Sequence, residues 1–208
     1  MNKLFSKLKL SSFHGKQLYL FLLLVFLVGI VFGSIFITIL NDQDKGAVIN
    51  QIATFFDQMK SNKIDYLGVF KNSVTANLLY IAAIWLLGIS IIGIPIIVMM
   101  LFFKGFIVGF SIAAIIAKYK IIGILGALTY VFPHIIISVM VIFMMSYYAL
   151  KLSFGLLRAV IERKSINFGE VINRYSFAML LSVVVMVLAS LIETFISPYV
   201  IKLFLIFI

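Results

Sequence analysis

Apolar residues run almost unbroken over four long stretches of the chain, and the charged residues fall between them. No charged side chain occurs from Gln17 to Asn41, from Asn72 to Phe103, from Ile121 to Leu150, or from Tyr175 to Ile192. A helix that crosses a hydrocarbon core of ~30 Å needs about 20 such residues. The first three stretches reach that length, and the fourth reaches it through Glu193 to Ser197. The pattern predicts spanning helices over 18–40, 77–103, 105–120, 133–153 and 175–197. The expected fold class is all-α: a polytopic integral membrane helical bundle with five spanning helices, forming one domain over residues 1–208.

The segment 41–73 is patterned differently. Val48, Ile49, Ile52, Phe55, Phe56 and Met59 recur every three to four residues, the signature of an amphipathic helix. Ile64, Leu67, Phe70 and Val74 repeat the spacing and lead into the second spanning helix. Two short helices on the outer membrane face would account for this. Phe55 and Phe56 most simply anchor that segment in the interface. The sharper alternative is a docking patch for an extracytoplasmic partner.

Where the apolar runs break decides the topology. A helix over 77–103 would be roughly 40 Å long, with Gly88, Gly93 and Pro95 available to kink or tilt it. A lysine held at the bilayer centre costs about 2.5–3.5 kcal/mol on insertion scales. At a helix end its stem lies in lipid while the ammonium reaches water. Lys104 and Gly105 are therefore expected to form a tight turn at the wet edge. The third helix then continues through Lys118 and Lys120. Pro133 divides the next run, and proline suits the first position of a helix. Residues 121–132 thus read as a re-entrant or interfacial half-helix, with helix 4 starting near Pro133. One long helix kinked at Pro133 is the alternative. Pro198 is expected to stop the last helix and leave an interfacial tail.

Composition agrees with a lipid environment. The chain is 64% hydrophobic and 12% charged, with a mean hydropathy of +1.22; soluble domains are closer to half apolar and a quarter charged. Lys3, Lys7, Lys9 and Lys16 precede the first helix with no acid among them, and residues 151–174 form a second basic stretch. Basic residues mark cytoplasmic flanks. The N-terminus and the 151–174 loop are therefore placed inside, with ten basic residues on that side and seven on the other. The run from Leu18 to Leu40 is longer than a signal-peptide core and is read as a retained helix. The basic run from Arg158 to Lys164 reads as an anchor to anionic lipid.

Candidate chemistry is sparse. There are two histidines, seven acids and no cysteine, so disulfides and thiolate metal sites are excluded. No nucleophile–base set, phosphate loop or metal-binding motif is visible. No enzymatic activity, cofactor or metal is expected, and no nucleic-acid partner. His134 reads as a hydrogen-bonding group at a helix start, with a proton relay as the alternative. Glu193 is either an interfacial carboxylate that meets water or Lys202, or a polar pairing that fixes helix packing or a partner. Gly29 and Gly33, and Gly105 and Gly109, have the G-x-x-x-G spacing that lets helices approach closely, within one chain or between chains of a homo-oligomer.

Several stretches resemble one family. "WLLGISIIGIPIIVMMLFFKGFIVGF", Trp85 to Phe110, resembles the central segment of stage II sporulation protein M. "TFF" at 54–56, "VFP" at 131–133 and "ETFISP" at 193–198 follow in matching order. The resemblance implies a multi-pass membrane protein of the mother-cell septal and engulfing membrane in endospore formation. It implies a scaffold that localises peptidoglycan hydrolases, stage II sporulation proteins D and P, during forespore engulfment. A small transporter or channel-like permease subunit is the competing expectation.

Overall fold

The computed structural model describes residues 15–60, 65–131, 134–162 and 168–205. Its elements are α1 (Gly15–Ile39), α2 (Asp42–Lys60), α3 (Tyr66–Gly88), α4 (Gly93–Tyr119), α5 (Ile122–Val131), α6 (His134–Glu162) and α7 (Phe168–Leu191). A π-helical turn (Ile192–Ile196) and α8 (Ser197–Leu205) follow. No strand occurs among the described residues. Five helical segments are long and apolar enough to cross a membrane: α1, α3, α4, α6 and the continuous run from α7 into α8. Leu24, Phe32, Ile107 and Phe177 lie on the outside of the bundle. An apolar exterior of this kind needs lipid as its solvent.

The expected turn at Lys104–Gly105 is not there. The chain reverses at Ile89–Ile92, and α4 runs unbroken through both residues. The local chemistry explains the position. Gly88, Ser90 and Gly93 cluster there, and the backbone closes through Ser90 N–H to Leu87 O and Gly93 N–H to Ser90 O. Pro95 falls in the first turn of α4, where the N–H groups have no helical partner to lose. The spanning segments are thus 66–88 and 93–119 rather than 77–103 and 105–120. Leu67, Phe70 and Val74 of the second amphipathic stretch belong to the start of α3, and Ile64 lies outside the described residues.

Two further boundaries move. α6 continues to Glu162, so Lys151 and Arg158 belong to a helix rather than a loop. Pro198 does not end the last helix. It lacks an N–H, and its ring would press on the Thr194 carbonyl in a regular α-turn. The turn widens instead, and Ser197 N–H reaches back five residues to Ile192 O.

Packing has two centres. α1 and α4 run side by side in the same direction, and their G-x-x-x-G pairs face each other. Gly29 and Gly33 lie on the Phe102 and Phe106 backbone, while Gly105 and Gly109 lie on the Phe26 and Ile30 carbonyls. Ser34 Oγ donates to Gly109 O at 3.2 Å across the seam. The motif therefore works within the chain. α3, α6 and α7 pack beside this pair around Ile84, Leu101, Ile142, Met145 and Met186. Ser153 Oγ donates to the carbonyls of Gly88 and Ser90 at 2.9 and 3.0 Å, which fixes the Ile89–Ile92 turn against α6.

The opposite end is capped by α2, α5 and α8. Phe56 is 1% exposed and clusters with Ile115, Ala127 and Ile201. Lys120 adopts φ 52° at the end of α4. The chain then folds back, and Gly123 lies on the Ile115–Ile116 backbone. α5 is a ten-residue helix that packs on α4 at this end, over the stretch expected as a half-helix. Residues 132–133, on which the choice between a half-helix and one helix kinked at Pro133 turns, lie outside the described residues, as does the side chain of His134.

Candidate functional site: a polar cleft inside the bundle

Lys104 sits about 17 Å from one end of α4 and about 23 Å from the other, counting 1.5 Å per residue. No wet helix end is within reach of its side chain. A cavity of about 190 Å³ opens beside it, bounded by Ser73 and Asn77 of α3, Ser111 of α4, Ser138 of α6 and Glu193 of the π turn. The Lys104 ammonium lies over the Tyr80 ring, 5.6 Å from its centre. It also feels the field of the Glu193 carboxylate. Tyr80 in turn donates its hydroxyl proton to Met100 O, which holds the ring in place.

Glu193 is built in from the other side. Ser73 Oγ donates to Glu193 Oε2. Ser73 also meets Ser190 Oγ at 3.0 Å, and the Asn77 amide donates to Ser73 Oγ and Ser190 Oγ at 3.3 Å each. Thr194 turns its hydroxyl back onto Ser190 O at 2.8 Å. A π turn rotates the residues that follow it relative to a regular helix. Here the π turn lies between α7 and α8 and carries Glu193, which reaches α3. Of the two expectations for Glu193, the polar pairing that fixes helix packing has a partner here in Ser73 of α3.

Charge in hydrocarbon is tolerated when it is paired, hydrogen-bonded or wetted. All three are available here. Several waters fit a polar cavity of this size, and hydroxyls from separate helices supply partners. The cleft opens sideways beside Ile107 and Ala76, which are exposed. Such a site can hold helices in register, bind a small polar ligand, or pass protons or ions. Among the described residues no group of three or more acids or histidines is placed to hold a metal ion.

The other expected site residues separate. Gly105 and Gly109 are backbone contacts of the α1–α4 seam. Phe56 is buried and is not available as a docking surface, whereas Phe55 is half-buried and lines a groove between α2 and α4. Pro198 is buried in the helix behind Glu193. Sequence reasoning missed Ser73, Asn77, Ser138 and Ser190. The signal was present: Ser73 and Asn77 are four residues apart, as are Ser190 and Thr194, so each pair forms a polar stripe on an apolar helix.

Fold and cleft together define a multi-pass α-helical membrane protein with a charged, hydroxyl-lined site between its helices. The description of stage II sporulation protein M matches residues 22–198. The chain belongs to that family, and membership implies a role in sporulation. Comparison with curated proteins and with solved structures gave no match.

Proposed function

We propose that this protein is a non-catalytic membrane scaffold that localises peptidoglycan hydrolases at the septal and engulfing membrane during forespore engulfment. Its partners in this reading are stage II sporulation proteins D and P. Family membership supports the setting. The observation that carries the scaffold reading is the mounting of α2. Phe56 locks this helix onto α4 and α8, so that Asn50, Thr54 and Asp57 are presented outward on a fixed platform. A partner would meet this polar face, not the buried phenylalanine.

The platform is on the wall side if the end that carries Ile89–Ile92 is cytoplasmic. Taking Lys104 out of the inner set leaves nine basic residues against seven, an asymmetry of the same sign. The test is capture of hydrolases by the tagged protein from sporulating cells. Asn50→Arg with Asp57→Arg should abolish capture and septal localisation at unchanged membrane level. Equal capture by that variant removes α2 as the docking place, and no capture by the wild type removes the scaffold reading.

One observation favours a second reading. Lys104 and Glu193 stand deep in the bundle beside a polar cavity, the setting of many transport pathways. In that reading, liposomes holding only the purified protein show ion or solute flux, and Lys104→Met or Glu193→Gln abolishes it. Sealed liposomes with wild-type protein and no flux exclude it.

A further inference from the structure

We infer that the groove between α6 and α7 is a binding site for one anionic glycerophospholipid. The groove encloses about 640 Å³, and none of the residues that line it borders the Lys104 cleft. Its two ends differ in chemistry. Lys151 and Arg174 stand at the end nearer the Ile89–Ile92 turn, on facing helices, and both are exposed. Met144, Phe177 and Leu181 line the walls as the groove runs towards the middle of the bundle. An anionic glycerophospholipid, with a phosphate at one end and acyl chains along the rest, has this layout. A neutral lipid or an apolar partner helix would add no negative charge beside Lys151, or beside Arg174 beyond that of Glu170.

Both cations are exposed and within reach of a phosphate in the groove. Arg174 pairs with Glu170 at 2.7 Å, but both side chains of that pair are largely exposed, at 82% and 58%. Exposed pairs one helical turn apart are weak and exchange readily. The planar guanidinium matches phosphate in a bidentate way. The Lys151 ammonium lies over the Tyr147 ring, 5.9 Å from its centre, and an ammonium has three N–H donors. Basic pockets between spanning helices at a membrane interface recognise lipid head groups by this chemistry. Gly155 keeps the groove open: a side chain added there meets nothing within 4 Å.

The chain's single tryptophan reports on the site. Trp85 stacks on Tyr175, with ring centres 6.3 Å apart, and Tyr175 lines the groove. The full-length protein in neutral detergent is titrated with phosphatidylglycerol brominated on its acyl chains, and separately with brominated phosphatidylcholine. Each basic residue near the phosphate contributes roughly a five-fold gain, so phosphatidylglycerol should quench Trp85 at concentrations roughly 30-fold lower. Lys151→Gln with Arg174→Gln should erase that preference. Gly155→Leu should remove the high-affinity phase while thermal unfolding stays unchanged. Equal quenching by the two lipids overturns the assignment and leaves the groove to a protein helix. So does a preference that survives the double substitution. Glycerol phosphate that displaces the brominated lipid at matching concentration also overturns it, because the head group alone would then account for binding.

Discussion

Replacing Gly33 with alanine should separate α1 from α4. The new methyl carbon would fall well inside 3.0 Å of the Phe106 carbonyl oxygen, a distance that real side chains do not reach. The obstacle is backbone on a neighbouring helix, so no rotamer change relieves it. The seam must open by roughly 1 Å, and overpacking of this kind costs about 1–3 kcal/mol. The loss is felt directly because lipid supplies no hydrophobic drive between helices, and close packing is what holds them. The Ser34–Gly109 hydrogen bond would lengthen with the gap. Gly33→Ala combined with Gly109→Ala should cost less than the sum of the two, since one separation relieves both clashes. Unfolding equilibria by steric trapping in bicelles measure this, with α1 still inserted in the unfolded state. Gly46→Ala is the control, because it meets no atom within 4 Å. If Gly33→Ala changed stability by less than about 0.5 kcal/mol, the range of an uninvolved surface site, the seam argument would be refuted.

Other expectations concern the cleft and the core. Lys104→Met and Glu193→Gln should each destabilise the fold, and the double variant should cost less than their sum, because the two opposite charges share one cleft and Lys104 feels the Glu193 carboxylate; a strictly additive cycle in the same assay would show that the two groups do not interact. Pro198→Ala restores an N–H and removes the ring that widens the turn, so Glu193 should rotate away from Ser73, and the Lys104–Glu193 coupling should fall towards zero. Tyr175→Phe removes a hydroxyl that donates to Trp85 O at 3.0 Å and lies 3.3 Å from Ile84 O. A loss of about 0.6–1.7 kcal/mol is expected from bonds of this kind in a membrane, together with a shift in Trp85 emission. An unchanged stability would mean that the hydroxyl contributes nothing to holding α7 on α3.

Much of the architecture is local and so could be read from residue order. A bilayer offers no hydrogen bonds to the backbone, which forces any long apolar run into a helix whatever its neighbours are. The helices over the charge-free stretches follow from that rule, and the three-to-four spacing from Val48 to Phe56 marks α2 by its own periodicity. The glycine spacings at 29–33 and 105–109 announced a close approach, although not that the two motifs meet each other. The reversal between α3 and α4 was also written locally, in Gly88, Ser90, Gly93 and Pro95. Lys104 alone points the other way, because an isolated lysine in an apolar run needs a wet helix end.

That need is what the tertiary structure removed. Whether a lysine can stay in the depth of a bundle depends on what other helices bring to it, and no window of sequence contains that information. Its neighbours come from four separate parts of the chain. The bond that seats Glu193 joins residues 120 positions apart. Phe56 is a second case: its periodicity marked an apolar face, but only the arrival of α8 and α5 turned that face inward. Apolar length thus determined how many times the chain crosses, because lipid acts on each segment alone. Packing determined which charges stay inside, because their solvation is supplied by residues distant in the chain.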